Sequence, residues 1–122
     1  MGRHVHQVFK GAQRQHYSAG QLLYQSGSEP DLVYYVVTGQ FTLLRERGGK
    51  LHRVGEKPEG SLIGETAALD GGPRTVTVEA SDEASVLVLP VEVFRQRLQD
   101  DAQACYEVAV SIAQVLRESA RT

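Results

Sequence analysis

Residues Gly60 to Val78 read GSLIGETAALDGGPRTVTV, and how this stretch is read decides the fold of the 122-residue chain. Glu65 opens a short Ala/Leu helical turn, Asp70 to Pro73 make a second glycine loop, and Arg74 leads into a β-branched run from Thr75. A helical turn of this kind begins with backbone N–H groups that have no partner inside it. Gly64, just before it, lets a ligand approach with no Cβ in the way. Arg74 supplies a planar fork of donors that can take two oxygens of one anion, a geometry lysine lacks. Glu65 has the opposite preference: an ionised carboxylate only accepts hydrogen bonds, so beside an anion it suits a hydroxyl of the same ligand. An anion and a hydroxyl held side by side describe a ribose phosphate. The plainer alternative is an Arg74–Glu65 ion pair that only pins the loop.

Around this stretch the pattern is β. Short apolar runs alternate with turn signals: Gln15 to Tyr17, Leu22 to Tyr24, Leu32 to Val37, then Thr38-Gly39. Gln40 to Glu46 and Lys50 to Gly55 flank Gly48-Gly49, which permits the positive φ angles of a tight hairpin, so these two runs are expected to be antiparallel partners. Thr75 to Ala80 and Ala84 to Leu89 add two more strands, with Val76, Val78 and Ala80 on one face of the first. Many short strands at this spacing argue for a sandwich or barrel.

Pro90 lacks the N–H of a ladder and can open a helix, so the β region is expected to end there. Val91 to Leu98 reads as helix, Gln99 to Asp101 as a break with a carboxylate cap, and Ala102 to Ala120 as the longest helix. Cys105, Val108, Ile112, Val115 and Leu116 form its apolar stripe. That stripe suits either a seam with a second copy or packing on the chain's own barrel. At the other end, Val5, Val8 and Phe9 suit one short helical turn that pins the terminus to the core.

Length allows one domain and one core. A formal charge of -2 gives no basic surface for nucleic acid or membrane, so binding of DNA by this chain alone is not expected. Cys105 is the only cysteine, which rules out an intramolecular disulfide or a multi-cysteine zinc site and suits a reducing cytoplasm. No run is apolar enough to span a bilayer, and His6 stands where myristoylation wants Ser or Thr. The reading is of a soluble chain, either free-standing or part of a larger one. His4 and His6 are read as solvated terminal residues rather than metal ligands, and His16 and His52 as strand-surface residues. A cupin-type metalloenzyme would need several ligands on facing strands, and the β region offers only those last two histidines.

The run Gly64-Glu65-Thr66-Ala67, with Arg74 nine residues after Glu65 inside Pro73-Arg74-Thr75, resembles the phosphate-binding cassette of cyclic nucleotide-binding domains. The resemblance extends through Gly20, Gly27, Tyr35 and Gly39 and covers roughly Gln15 to the C-terminus. It implies a mainly β fold with flanking helices: an antiparallel β-roll of the jelly-roll or double-stranded β-helix type, plus C-terminal helices. Residues 1–14 would be an N-terminal segment, 15–89 the β-roll with its cassette at 60–78, and 90–122 the hinge and lid. The resemblance places Glu65 on a ribose 2′-hydroxyl, Arg74 on the exocyclic phosphate oxygens, and the N–H groups of Thr66 and Ala67 in the rest of the cradle behind Gly64. Thr75 would stand where a hydroxyl reaches the phosphate or the 2-amino group of a syn guanine, which leaves cAMP and cGMP both open. The terminal helix would close over the base through Ile112, Val115, Leu116 or later residues and pair with its twin in a homodimer. The function implied is a non-enzymatic sensor with a cyclic nucleotide as ligand and no cofactor, catalytic residue or metal. A ligand-free interaction or dimerisation module on the same fold is the alternative.

Overall fold

The computed structural model describes residues 3–120. Eight strands form two four-stranded antiparallel sheets. The first has the order β1 (Gln13–Tyr17), β8 (Ala84–Pro90), β3 (Leu32–Thr38), β6 (Leu62–Ile63). The second has the order β2 (Leu22–Tyr24), β7 (Thr77–Ala80), β4 (Phe41–Arg47), β5 (Lys50–Lys57). Helices α1 (Arg3–Val8), α3 (Val91–Gln99) and α4 (Ala102–Ala120) flank this β-roll, and α2 (Glu65–Asp70) interrupts it between β6 and β7.

The apolar runs of β3 and β8 are continuous because the first sheet is buried on both faces. Tyr34, Val36, Val86 and Val88 point between the sheets and pack with Phe41, Ile63 and Val78. Val33, Leu89 and Leu62 point the other way, into a second core built with Val5, Val8 and Phe9 at the N-terminus, Ala68 of α2, Phe94 and Leu98 of α3, and Ala104 and Val108 of α4. Phe94 is fully buried, 6.0 Å from the Phe9 ring; burying such a side chain contributes about 1.5–3 kcal/mol. The cassette helix, through Ala68, is thus part of the same core as the C-terminal helices.

Gly48 and Gly49 have φ of 62° and 78°, and β4 and β5 pair from Arg47 opposite Lys50, as the hairpin reading expects. Pro90 closes β8 and also stands as the N-cap of α3. Asp101 caps α4, its Oδ1 accepting from the Ala104 N–H at 3.1 Å.

Several expectations need correction. Strand β7 begins at Thr77 rather than Thr75, because the Arg74 backbone is taken by the preceding loop: Gly27 N–H donates to Arg74 O at 2.8 Å. Thr77, the first residue of the strand, is buried, and its hydroxyl accepts from Ser26 N–H at 3.0 Å. Strand β5 runs on to Lys57, past the expected end at Gly55. The apolar stripe of α4 is rotated. Ala104 and Val108 are buried, whereas Cys105 is exposed and Leu116 is 65% exposed, so Val108 packs on its own roll and is not free for a seam. Among the described residues no helix is long and apolar enough to cross a membrane.

Candidate functional site

One cavity of about 290 Å³ opens between the second sheet, the cassette and α4. It lies at the small end of ligand clefts, roughly 300–1,000 Å³. Gly64, Glu65, Thr66, Ala67, Arg74 and Thr75, the six residues singled out in the sequence, all border it. Leu43, Arg45, Val54 and Lys57 of the β4–β5 hairpin complete the lining with Tyr24, Ile63, Asp70, Pro73, Val76 and Val115.

Arg74 is 3% exposed, and its guanidinium is held by backbone. One terminal nitrogen donates to Leu32 O at 2.6 Å, the other to Gly64 O at 3.3 Å, and the group lies 4.2 Å above the Tyr24 ring. Its Nε is buried with no hydrogen-bond partner, and among the described residues no carboxylate reaches ion-pairing distance of it. A buried cation in this condition is costly unless something anionic completes it. The Arg74–Glu65 ion pair weighed as the plainer reading does not form. Glu65, 7% exposed, is instead paired with Lys57, whose Nζ lies 3.8 Å from Glu65 Oε1.

Gly64 sits just before α2 with φ 85°. The Ala68 N–H donates to Gly64 O at 3.2 Å, and the Thr66 and Ala67 N–H groups just before it have no such backbone bond among the described residues. Thr66 and Thr75 are exposed at the rim. Val115, 50% exposed, brings α4 to the cavity mouth, whereas Ile112 packs on the core and Leu116 does not border the cavity. The cavity lining carries three cations (Arg45, Lys57, Arg74) and two carboxylates (Glu65, Asp70), an excess of one positive charge.

Sequence reasoning missed Tyr24 and Lys57. Burial pushes the Tyr24 phenol up to about 12, with Arg74 opposing and Glu65 adding to the rise. Below its ordinary value near 10 this tyrosine is neutral whether folded or unfolded; above it the unfolded chain ionises first. Stability is therefore complete below about pH 10 and is lost as pH climbs toward 12, on the order of 2 kcal/mol from this group. Tyr24→Phe is expected to raise the midpoint of alkaline unfolding followed by circular dichroism; an unchanged midpoint would contradict this.

His6 rests against the Tyr35 ring at 5.2 Å, and His16 and His52 are exposed on strands. Among the described residues no group of three or more His, Cys, Asp or Glu side chains is placed to hold a metal ion.

Fold and cavity together define an antiparallel β-roll with a buried arginine and a buried glutamate set on one pocket by a short helix. The family described as "Cyclic nucleotide-binding domain" matches residues 14–101, and the chain belongs to it. Lysophospholipase nte1 of Emericella nidulans is 29% identical over 102 residues, which cover 83% of this chain and 7% of that protein. Patatin-like phospholipase domain-containing protein 6 of Mus musculus is 40% identical over 73 residues, 59% of this chain and 5% of that protein. Among solved structures, the Thermus thermophilus catabolite activator protein superposes with a TM-score of 0.85 at 25% identity, covering 98% of this chain and 56% of that one. The chain thus spans a small fraction of the length of the lysophospholipases it resembles.

Proposed function

We propose that the chain is a sensor for a cyclic mononucleotide, cAMP or cGMP, and that it signals by repositioning the helices after Pro90. The observation that carries this reading is Arg74: a buried guanidinium with an unpartnered Nε and no carboxylate partner, bordering the same cavity as Glu65. A singly charged phosphodiester would complete the arginine and match the cavity's excess of one positive charge, while Glu65 accepts from the ribose 2′-hydroxyl. Gly64, the Thr66 and Ala67 N–H groups and Thr75 would finish the cradle. The base would then lie toward Leu43, Val54 and Val115 at the mouth.

Residues 15–89 would be the receptor and 90–122 the hinge and lid. Two contacts support such coupling: Arg95 Nε of α3 donates to Ala68 O of the cassette helix, and Val115 of α4 reaches the cavity. Ligand shifts the helices only as far as it binds one arrangement better than another, so the Val115 contact is where that difference would arise. In this reading the chain is regulatory and cytoplasmic, and any lipid hydrolysis belongs to other parts of a longer protein.

Calorimetric titration with cAMP and cGMP in parallel tests the proposal. A ligand of about twenty-two heavy atoms at roughly 0.3–0.4 kcal/mol per atom is expected to bind near micromolar. Heat from neither nucleotide, with no rise in Tm at saturation, would overturn it.

A second reading, an interaction module, is favoured by the face of α4 that carries Tyr106 (67% exposed), Val110 and Leu116. Their spacing with Ala109 and Ala113 suits a helix pairing with its twin, and the two readings combine if the sensor is a homodimer. Sedimentation is expected to show concentration-dependent dimers that Tyr106→Glu dissociates; monomers at all concentrations would remove this interface.

A further inference from the structure

We infer that Lys57 positions Glu65 and thereby sets the preference for ligands that carry a ribose 2′-hydroxyl. The inference rests on the reading of the cavity given under Proposed function. Lys57 and Glu65 come from different elements, the end of β5 and the start of α2, and meet at the cavity wall. Their side chains are 18% and 9% exposed, and Lys57 is the only ion-pair partner of Glu65 among the described residues. Arg74, the buried cation of the cavity, spends its terminal nitrogens on the Leu32 and Gly64 carbonyls.

Charge and geometry dictate the chemistry. A bound phosphodiester puts a second negative charge near a carboxylate that is almost out of water, so without a nearby cation Glu65 would turn outward toward solvent. That change removes the acceptor from the hydroxyl. At 3.8 Å the lysine neutralises the carboxylate without a short hydrogen bond to it, so the carboxylate oxygens keep lone pairs for the ligand. Lys57 therefore acts through Glu65 rather than on the phosphate.

The test titrates the 122-residue chain with cAMP, cGMP and the 2′-deoxy form of each. The parent chain is expected to favour the hydroxylated form about 10- to 100-fold, the range for a hydrogen bond to a charged group. Lys57→Met keeps the aliphatic stem and is expected to bring that ratio to within about 3-fold, the hydroxylated form losing more affinity than the deoxy form; Lys57→Arg is expected to restore most of the ratio. In a Glu65→Gln background, Lys57→Met should have no further effect on the ratio.

A Lys57→Met chain that still discriminates like the parent overturns the inference. So does one that loses affinity equally for both forms, because Lys57 would then act on the phosphate or the fold. Should Lys57→Met not fold, Lys57→Gln and the Glu65→Gln comparison decide the matter by the same ratio. A parent chain that binds no cyclic nucleotide defeats the function proposed above, whereas one that binds without discriminating defeats only the hydroxyl role of Glu65 and the inference built on it.

Discussion

Arg74→Ala is expected to bind cyclic nucleotide roughly 30- to 1,000-fold more weakly than the parent, about 2–4 kcal/mol from one charge-assisted, forked contact. The same substitution should cost the ligand-free protein much less. It deletes two hydrogen bonds to carbonyls and the contact with Tyr24, but it also removes a buried cation whose Nε has no partner. These terms oppose one another, so Tm without ligand is expected to move little while the ligand-induced rise in Tm disappears. Arg74→Lys keeps the charge and loses the fork, and should fall between the two. Equal affinity of Arg74→Ala and the parent, measured by calorimetry, would mean that the cavity does not take its anion at this residue.

Gly64→Ala is expected to weaken binding about as far, roughly 30-fold or more, without touching a charge. A Cβ at this position would lie 2.5 Å from an Arg74 terminal nitrogen and 3.2 Å from Leu32 O, and the φ of 85° is one that alanine adopts only under strain. Backbone strain of about 1–2 kcal/mol should appear as a lowered Tm, and the displaced guanidinium as lost affinity. The two effects separate in a cycle. In an Arg74→Ala background Gly64→Ala should still lower Tm but cost less affinity than it does alone, since there is no guanidinium left to displace and only the obstruction by the added methyl remains. An undiminished affinity for the single variant would show that the position tolerates a methyl and that the arginine can move without consequence.

Elements carried by local chemistry were legible in the sequence. Gly48-Gly49 demanded a tight hairpin, Asp101 demanded a helix start, and glycines, glutamate and arginine in one stretch pointed to one pocket, which those residues do border. Elements decided by distant partners were not. Leu62–Ile63 is only two residues long and buried on both sides, so it shows no alternation to read. Lys57 was hidden because Gly55 reads as the end of its strand, whereas β5 runs on to Lys57, held by the distant pairing of Lys57 with Phe41 past a register shift that leaves Val54 opposite no residue. On α4, cysteine outranks alanine in hydrophobicity, yet Ala104, four residues before the buried Val108 and on the same helix face, is inside and Cys105 outside, because packing on α1 and α3 sets the helix rotation. Tyr24 belongs to the same class, since its place over Arg74 comes from the pairing of β2 with β7.

The small helix α1 does more than cover the roll. Its Val5 N–H donates to Glu107 of α4 at 3.1 Å, and Arg97 of α3 donates to the carbonyls of Val8 and Lys10. The first and last helices of the fold are therefore yoked. Should α4 turn, the torque would pass to residues 5–10 without crossing either sheet, and tension applied there would be felt at the cavity mouth by the same linkage.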